Sequence, residues 1–489
     1  MDKVSSNSEN EPFINFWDKK FLFIFFLIIL IYYFLITYGT GILYVNEFLG
    51  SAFDSLGKNF LKGKATVDFY AINWETFARN GKSHMYFGPF PAFLRIFLNF
   101  LFPSLFGKWS RLSCLAASVV CLFSFVLIVR NQLIKNTFLS IKEKEFFFYV
   151  SILSFGLGSP LLFLMSWASI YHEAILWAFA WSILGIYFII LALSSNDKVF
   201  IYVFGISFCS GLALLSRVSF ALPLYIILTF ILIKISIQSF KNKNIKSFLL
   251  PLILLVSPAL LAILFQLWYN YARFGSIKVF TDYKLYFINL TDSLQMDIYK
   301  ASGLFNLSRI PYALFNYFGF RFEYFSCKAP FINMIQSFYN PYLHPFVEQN
   351  ISLVVVSPWI IFGATIGLIM LLKTKNCFLA KLCLLPFTWS AVGILSFLSI
   401  GHRYSTEFFP LMIFLYSYYL LDIGKQKNFD LFKNKLFLLS RLLCIISIVT
   451  TILSMLSWNM NFNAGAPIAY KNKLISAFHR IDKFLDFNS

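Results

Sequence analysis

Residues Phe21–Val45 read FLFIFFLIILIYYFLITYGTGILYV, without a single charged side chain. A run of about 25 apolar residues exceeds the ~20 that a helix needs to cross the hydrocarbon core of a bilayer. The residues before it, 1–20, are polar and carry no signal-peptide n-region, and no small-residue cleavage site follows. The run therefore reads as an uncleaved signal anchor, with a short cytoplasmic segment ahead of it. Ten more apolar runs lie at 109–130, 146–168, 171–194, 199–216, 218–237, 248–270, 351–372, 378–400, 404–422 and 436–457. Together they predict about 11 spans, because in lipid each backbone amide must be satisfied within its own segment, which a helix does.

The composition of all 489 residues agrees. Hydrophobic side chains make up 59% and charged ones 13%, and the mean hydropathy is +0.71. Too little polar surface is left to cover a water-soluble particle, so the chain is read as an all-α, multi-pass integral membrane protein, most simply of a bacterial inner membrane. Lys and Arg number 41 against 22 Asp and Glu, a net charge of +19. No basic stripe with interleaved aromatics stands outside the spans, so nucleic acid is not the expected partner. The 7 cysteines contain no CxxC pair, and only Cys327 stands in a long polar loop.

The basic residues orient the chain. Lys135, Lys142 and Lys144 crowd one short loop, Lys241, Lys243 and Lys246 a second, Lys373 and Lys375 a third, and Lys425, Lys427, Lys433 and Lys435 a fourth. The alternate short turns hold only Arg217, His402 and Arg403. The positive-inside rule places the lysine-rich loops in the cytoplasm. Cys327 is then outside and Lys135 inside. That assignment needs 88–107, which contains Pro89, Pro91 and Pro103, to lie at the interface, with helix starting near Pro91. The expected organisation is a cytoplasmic segment 1–20, a membrane module 21–457 with long outer loops 46–108 and 271–350, and an outer tail 458–489.

With those sides set, the unusual polar residues collect on the outer face. Asp54, Asp68, Glu75, Arg79 and His84 belong to the first loop. Tyr171, His172 and Glu173 form one outer turn, Arg217 another, and His402, Arg403, Tyr404 and Glu407 the last, while Arg273 and Asp282 open the second long loop. Ionisable groups at the edge of hydrocarbon are costly and usually line a cavity or pathway. Several turns contributing such groups suggest one shared cavity. No GxxxxGK[ST], HExxH or GxSxG occurs, and no metal-ligand spacing is present, so neither a metal nor another cofactor is indicated.

Two stretches of the first loop carry a resemblance. Phe53-Asp54-Ser55-Leu56 through Phe60-Leu61-Lys62-Gly63-Lys64, and Gly81-Lys82-Ser83-His84-Met85-Tyr86-Phe87-Gly88-Pro89-Phe90-Pro91-Ala92-Phe93-Leu94-Arg95, resemble the first outer loop of bacterial membrane glycosyltransferases of the GT-C superfamily, the dolichyl-phosphate-mannose mannosyltransferase-like kind. Tyr171-His172-Glu173-Ala174 and Arg403-Tyr404-Ser405-Thr406-Glu407-Phe408-Phe409-Pro410 resemble further pieces of the same pattern. The resemblance implies inverting sugar transfer on the outer face, from a polyprenyl-phosphate-linked donor to a glycan, lipid or protein acceptor. It also implies a general base shortly after the first span, a position that falls on Asp54, with Asp68 the competitor.

Physical chemistry asks for the same parts. A sugar hydroxyl is a poor nucleophile and needs a carboxylate to take its proton, and a departing phosphate needs fixed cations. Arg217, Arg273 and Arg403 stand at outer span ends, where a lipid phosphate sits, and arginine suits phosphate by its bidentate fork. His172, Glu173, His402, Tyr404 and Glu407 complete the expected substrate-binding set. Two other readings stay open: a transporter or flippase of a lipid-linked glycan, and an O-antigen ligase or polymerase-like enzyme.

Overall fold

The computed structural model describes residues 18–194, 199–241, 246–286, 293–375, 377–425 and 429–486. Residues 1–17, Lys243 and Lys427, which entered the orientation argument, lie outside the described residues. Among the described residues nine helices are long and apolar enough to cross a membrane: Lys19–Ile36, Ser110–Lys135, Ile141–Leu164, Ile170–Ser194, Val199–Ser216, Val218–Ile237, Leu254–Phe274, Phe378–Leu395 and Phe429–Asn461. Two shorter apolar helices, Pro358–Lys373 and Phe409–Asp422, occupy the places of the other two expected spans. At 1.5 Å per residue their 16 and 14 residues reach about 24 and 21 Å, less than a bilayer core of about 30 Å.

These two short helices make one of the closest backbone approaches in the bundle. Gly363 and Gly367 are four apart on one face of Pro358–Lys373, and a Cβ on either would collide with Tyr416 or with the carbonyl of Leu415. Small residues at this spacing let membrane helices approach to backbone contact. Ile170–Ser194 is buried on nearly every side, packed by Ser110–Lys135 and Val199–Ser216. Its all-round apolar character leaves it no water-facing stripe, so it sits at the centre. On Lys19–Ile36, by contrast, Phe23, Phe26, Leu30 and Phe34 are exposed, as lipid-facing side chains are.

At one end of the bundle the connections are short. There Asn136 donates to the carbonyl oxygens of Leu420 and Ile423 at 2.9 and 2.8 Å. Ser140 and Glu143 form a capping box, and Glu143 also pairs with Lys433. Lys135 ends its helix at this end.

The other end carries the long loops, folded into a polar cap. The first loop holds a helix Ala52–Phe60, a two-stranded hairpin pairing Phe77–Arg79 with Lys82–His84, and a helix Phe90–Leu101. This last helix starts on Pro89 and has 12 residues, so it runs about 18 Å and ends well short of a crossing. The second loop is stitched to its surroundings by short pairings: Ile335–Gln336 with Gln349–Asn350, Phe346–Val347 with Ser399–Ile400, and Phe77 with Tyr286. Cys327 is exposed in this cap. The tail holds a further helix, Ile468–Asp486, whose Asp482 carboxylate accepts from the amide of Ala329 at 2.8 Å.

Candidate active-site cavity

Five stretches distant in sequence meet around one cavity of about 290 Å³ in the polar cap. The first loop contributes Glu75 and Tyr86, the end of the span Ile141–Leu164 and the turn after it Phe163 and Trp167, and the start of the central span Tyr171 and His172. The second loop adds Tyr283, Tyr286, Phe346 and Glu348, and the last outer turn His402, Arg403 and Tyr404, with Trp458 closing the floor.

Local structure explains the charged pair at its mouth. Ser399–Ile400 runs parallel to Phe346–Val347, and the Glu348 amide donates to the Ile400 carbonyl at 2.8 Å. That register sets Glu348 beside the turn His402–Phe408, where Arg403 Nη2 lies 2.5 Å from Glu348 Oε1. Gly401 makes room, because a Cβ there would stand 2.5 Å from Glu348 Oε2. The Arg403 guanidinium lies 4.4 Å from the Tyr171 ring centroid and 5.1 Å from that of Tyr404. Stacked on rings, it holds a defined plane while keeping its charge.

Glu75 ends a 3-10 turn, Asn73–Glu75, that enters the hairpin. It is only 7% exposed and accepts a hydrogen bond from the Tyr171 hydroxyl. Burial pushes its pKa above the ordinary glutamate value, partly offset by hydrogen bonds from Tyr171 and Tyr286 and by the charge of Arg403. A buried carboxylate of raised basicity, facing a cavity, is the form a general base takes.

The cavity floor is aromatic. The Phe163 ring lies 4.7 Å from His402, nearly edge-on, and 5.0 Å from Trp458, and Trp167 lies 5.9 Å from Trp458. Burial lowers the His402 pKa to about 4, so its imidazole is neutral at pH 7, with Nδ1 3.3 Å from Asn350 Oδ1. Aromatic faces beside polar edges suit sugar rings, which present C–H faces and hydroxyl rims.

Of the residues singled out from the sequence, Glu75, Tyr171, His172, His402, Arg403 and Tyr404 line this cavity. Arg217 and Glu407 do not line it; they are paired at 2.7 Å, with the Arg217 guanidinium 5.2 Å from the Tyr404 ring centroid. Arg273 faces neither cavity nor membrane surface. It is buried and donates to Met85 O at 2.9 Å, Asn270 Oδ1 at 2.9 Å and Tyr269 O at 3.3 Å, tying the span end to the first loop.

The two aspartates expected as bases do not line the cavity. Asp54 is fully buried; Arg95 Nε lies 3.3 Å from its Oδ2 and Asn99 donates to its Oδ1 at 2.8 Å. Arg95 in turn meets Glu173 at 2.6 Å, so Glu173 is committed there as well. Burial raises the Asp54 pKa and Arg95 draws it back. Asp68 is exposed at the start of the short helix Phe69–Ile72, its amide donating to the Ser55 hydroxyl at 2.9 Å. The physical reason is the fold of the loop: the helix Ala52–Phe60 turns Asp54 inward onto Phe90–Leu101.

Glu348, Tyr283 and Tyr286 carried no signal in the sequence. Glu75 did, as one of the few ionisable residues of the first loop, between Trp74 and Thr76. Among the described residues no three His, Cys, Asp or Glu side chains are grouped to share a metal ion.

No protein-family model and no curated protein matches the chain. Among solved structures it is similar to the oligosaccharyltransferase of Archaeoglobus fulgidus. The apo form shares 13% identity at a TM-score of 0.45, over 92% of this chain and 59% of that one. The complex with zinc and sulfate gives 13% and 0.45, over 90% and 56%. The complex with an inhibitory peptide and a dolichol-phosphate gives 14% and 0.46, over 92% and 59%. The chain thus spans less than two thirds of the length of the solved chains it matches.

Proposed function

We propose that the protein is a membrane glycosyltransferase that moves a sugar from a polyprenyl-phosphate donor to an acceptor hydroxyl on the outer face, with inversion at the anomeric carbon. The observation that carries this reading is the pairing of Glu75, buried and of raised basicity, with the ring-stacked Arg403 across one aromatic cavity. Glu75 takes the acceptor hydroxyl proton as the new C–O bond forms. The bond from the anomeric carbon to the phosphate oxygen breaks, and the electron pair leaves with polyprenyl phosphate. Arg403 meets the charge that develops on that phosphate, the term that dominates in such reactions. Release from Glu348 as phosphate arrives exchanges one anionic partner for another.

Glu75 replaces Asp54 as base in this proposal because only Glu75 has both a cavity in front of it and partners that leave it able to accept a proton. Asp54 acts instead as a positioning group, holding Arg95 and with it the helix Phe90–Leu101. The lysine-rich short loops support the assignment of the site to the outer side.

The test uses the purified full chain in detergent with a set of polyprenyl-phosphate sugars, measuring donor-dependent release of polyprenyl phosphate. Release that is lost in Glu75→Gln, with the melting temperature unchanged, is the expected result. Wild-type release by Glu75→Gln, or no release with any donor while lipid-linked glycan moves between leaflets of a proteoliposome, sinks the proposal and favours transport.

A further inference from the structure

A second cleft, of about 250 Å³, is walled in part by the hairpin Phe77–Arg79/Lys82–His84 and shares no wall residue with the first. Its wall holds Lys64, Arg79, Lys82 and His84, with Thr66 and Asn80, and no carboxylate. Among the described residues none of Lys64, Arg79 and Lys82 makes an ion pair.

Three features make this more than a run of surface cations. Arg79 and Lys82 are direct cross-strand partners in the hairpin. Like charges facing each other across a strand pair are destabilising unless something answers them. Arg79 is also held in place: it donates to the Tyr271 carbonyl at 3.4 Å, and its guanidinium fills the space above Gly275, where φ is +74° and any Cβ would collide with it. His84, two residues along the same strand face as Lys82, is 4% exposed, with Nδ1 3.0 Å from the Ala65 carbonyl. Burial first, and then the nearby charges of Arg273, Arg79 and Lys82, lower its pKa. The wall thus joins two exposed lysines to a held guanidinium, with a buried polar ring beside them.

We propose that this cleft is a binding site for a phosphoryl anion, separate from the candidate active site and independent of what that site does. The site is smaller than the roughly 300–1,000 Å³ of drug-sized pockets, so it suits a headgroup or a small phosphate compound. Ala272, in the last turn of the span Leu254–Phe274, is part of the wall. The cleft therefore sits where the span leaves the bilayer, at the level of lipid phosphates. Both a phospholipid headgroup and a soluble phosphate present the same chemistry to it, with guanidinium, ammonium and hydroxyl donors meeting phosphate oxygens.

The experiment titrates the full chain, in a neutral detergent, with inorganic pyrophosphate and separately with short-chain phosphatidic acid, by calorimetry. Saturable binding of at least one probe is expected. The double variant Arg79→Gln, Lys82→Gln should weaken it at least about tenfold, as loss of charge-assisted contacts requires. Arg403→Gln alters only the other cavity and should leave that affinity within about twofold, since sites that share no partners act independently. Tighter phosphatidic acid binding assigns the site to a lipid headgroup, and tighter pyrophosphate binding to a soluble phosphate. Lys64→Gln leaves the hairpin untouched and should weaken binding severalfold, and Lys82→Arg, which keeps the charge, should retain it. No saturable binding of either probe, wild-type affinity in the double variant, or loss in Arg403→Gln equal to that in the double variant overturns the proposal.

Discussion

Two carboxylate–guanidinium–carboxylate clusters stand in the polar cap: Asp54–Arg95–Glu173 and Glu75–Arg403–Glu348. In chemical composition they are nearly the same. In the first, all the side chains in its two ion pairs are fully buried, and Asn99 and Trp109 extend the network by hydrogen bonds of 2.8 Å each. In the second, Glu348 is 39% exposed, and the three residues face a cavity. The sealed cluster cannot exchange a proton with anything but itself, whereas the open one can meet a substrate. Solvent access and a neighbouring empty volume, rather than residue type, separate a structural ion network from a candidate reaction centre.

That contrast can be broken in several ways. The largest expected effect is on the open cluster. Glu75→Gln keeps shape and loses basicity, so turnover should fall by roughly 10²–10⁴, with thermal unfolding unchanged. Next is Arg95→Ala in the sealed cluster. Two buried carboxylates then lose their cation, and unfolding stability should drop by about 3–5 kcal/mol, seen as a lower melting temperature. A variant that melts like wild type but is inactive would give the sealed cluster a chemical role.

Arg403→Ala should weaken donor binding by about 1.5–3 kcal/mol, the range for a hydrogen bond to a charged group, read as a higher KM for a polyprenyl-phosphate sugar. Tyr171→Phe is subtler. The Glu75 carboxylate must be ionised to act, and its pKa already lies above the ordinary value. Removing the Tyr171 hydrogen bond raises it further, so the acidic limb of the rate profile should move to higher pH. A shift to lower pH would mean that Tyr171 does not stabilise the ionised form. The smallest effect belongs to Asp54→Asn: turnover should stay within about threefold of wild type, since its partners lie outside the cavity and distant sites act nearly independently. Loss of turnover in Asp54→Asn without loss of stability would return the base to Asp54.

The membrane class, and most span positions, were legible because the length and polarity of an apolar run are local properties. The starts near 110, 170, 199 and 218 all appear as helices. The proline pair at 89 and 91 marked a helix start correctly, since a missing amide and a restricted preceding residue act within one turn. The expectation of full spans at 351–372 and 404–422 met shorter helices, Pro358–Lys373 and Phe409–Asp422. There a Ser-Pro step and a 3-10 turn shorten an apolar run that hydropathy alone reads as continuous.

The candidate site was only partly legible. His402, Arg403, Tyr404 and His172 could be picked out because a charged or polar turn between two apolar spans stands out in any window. Which carboxylate faces the cavity could not be read that way. Asp54 and Glu75 lie in one loop, both among apolar neighbours, and nothing in their immediate sequence separates them.

By itself, then, the sequence determined the solvent of this protein, the places of most of its apolar helices and the gathering of ionisable residues in the segments between them. All of these follow from the free energy of moving one segment between water and lipid. The tertiary structure alone decided which of those residues meet. It turned Asp54 onto Arg95 through the packing of Ala52–Phe60 on Phe90–Leu101, and it drew Glu348 to Arg403 through a parallel strand pair between residues 346–347 and 399–400. Burial and charge pairing here depend on groups tens of residues apart, 55 for Arg403 and Glu348 and 78 for Arg95 and Glu173, and no local pattern encodes that distance.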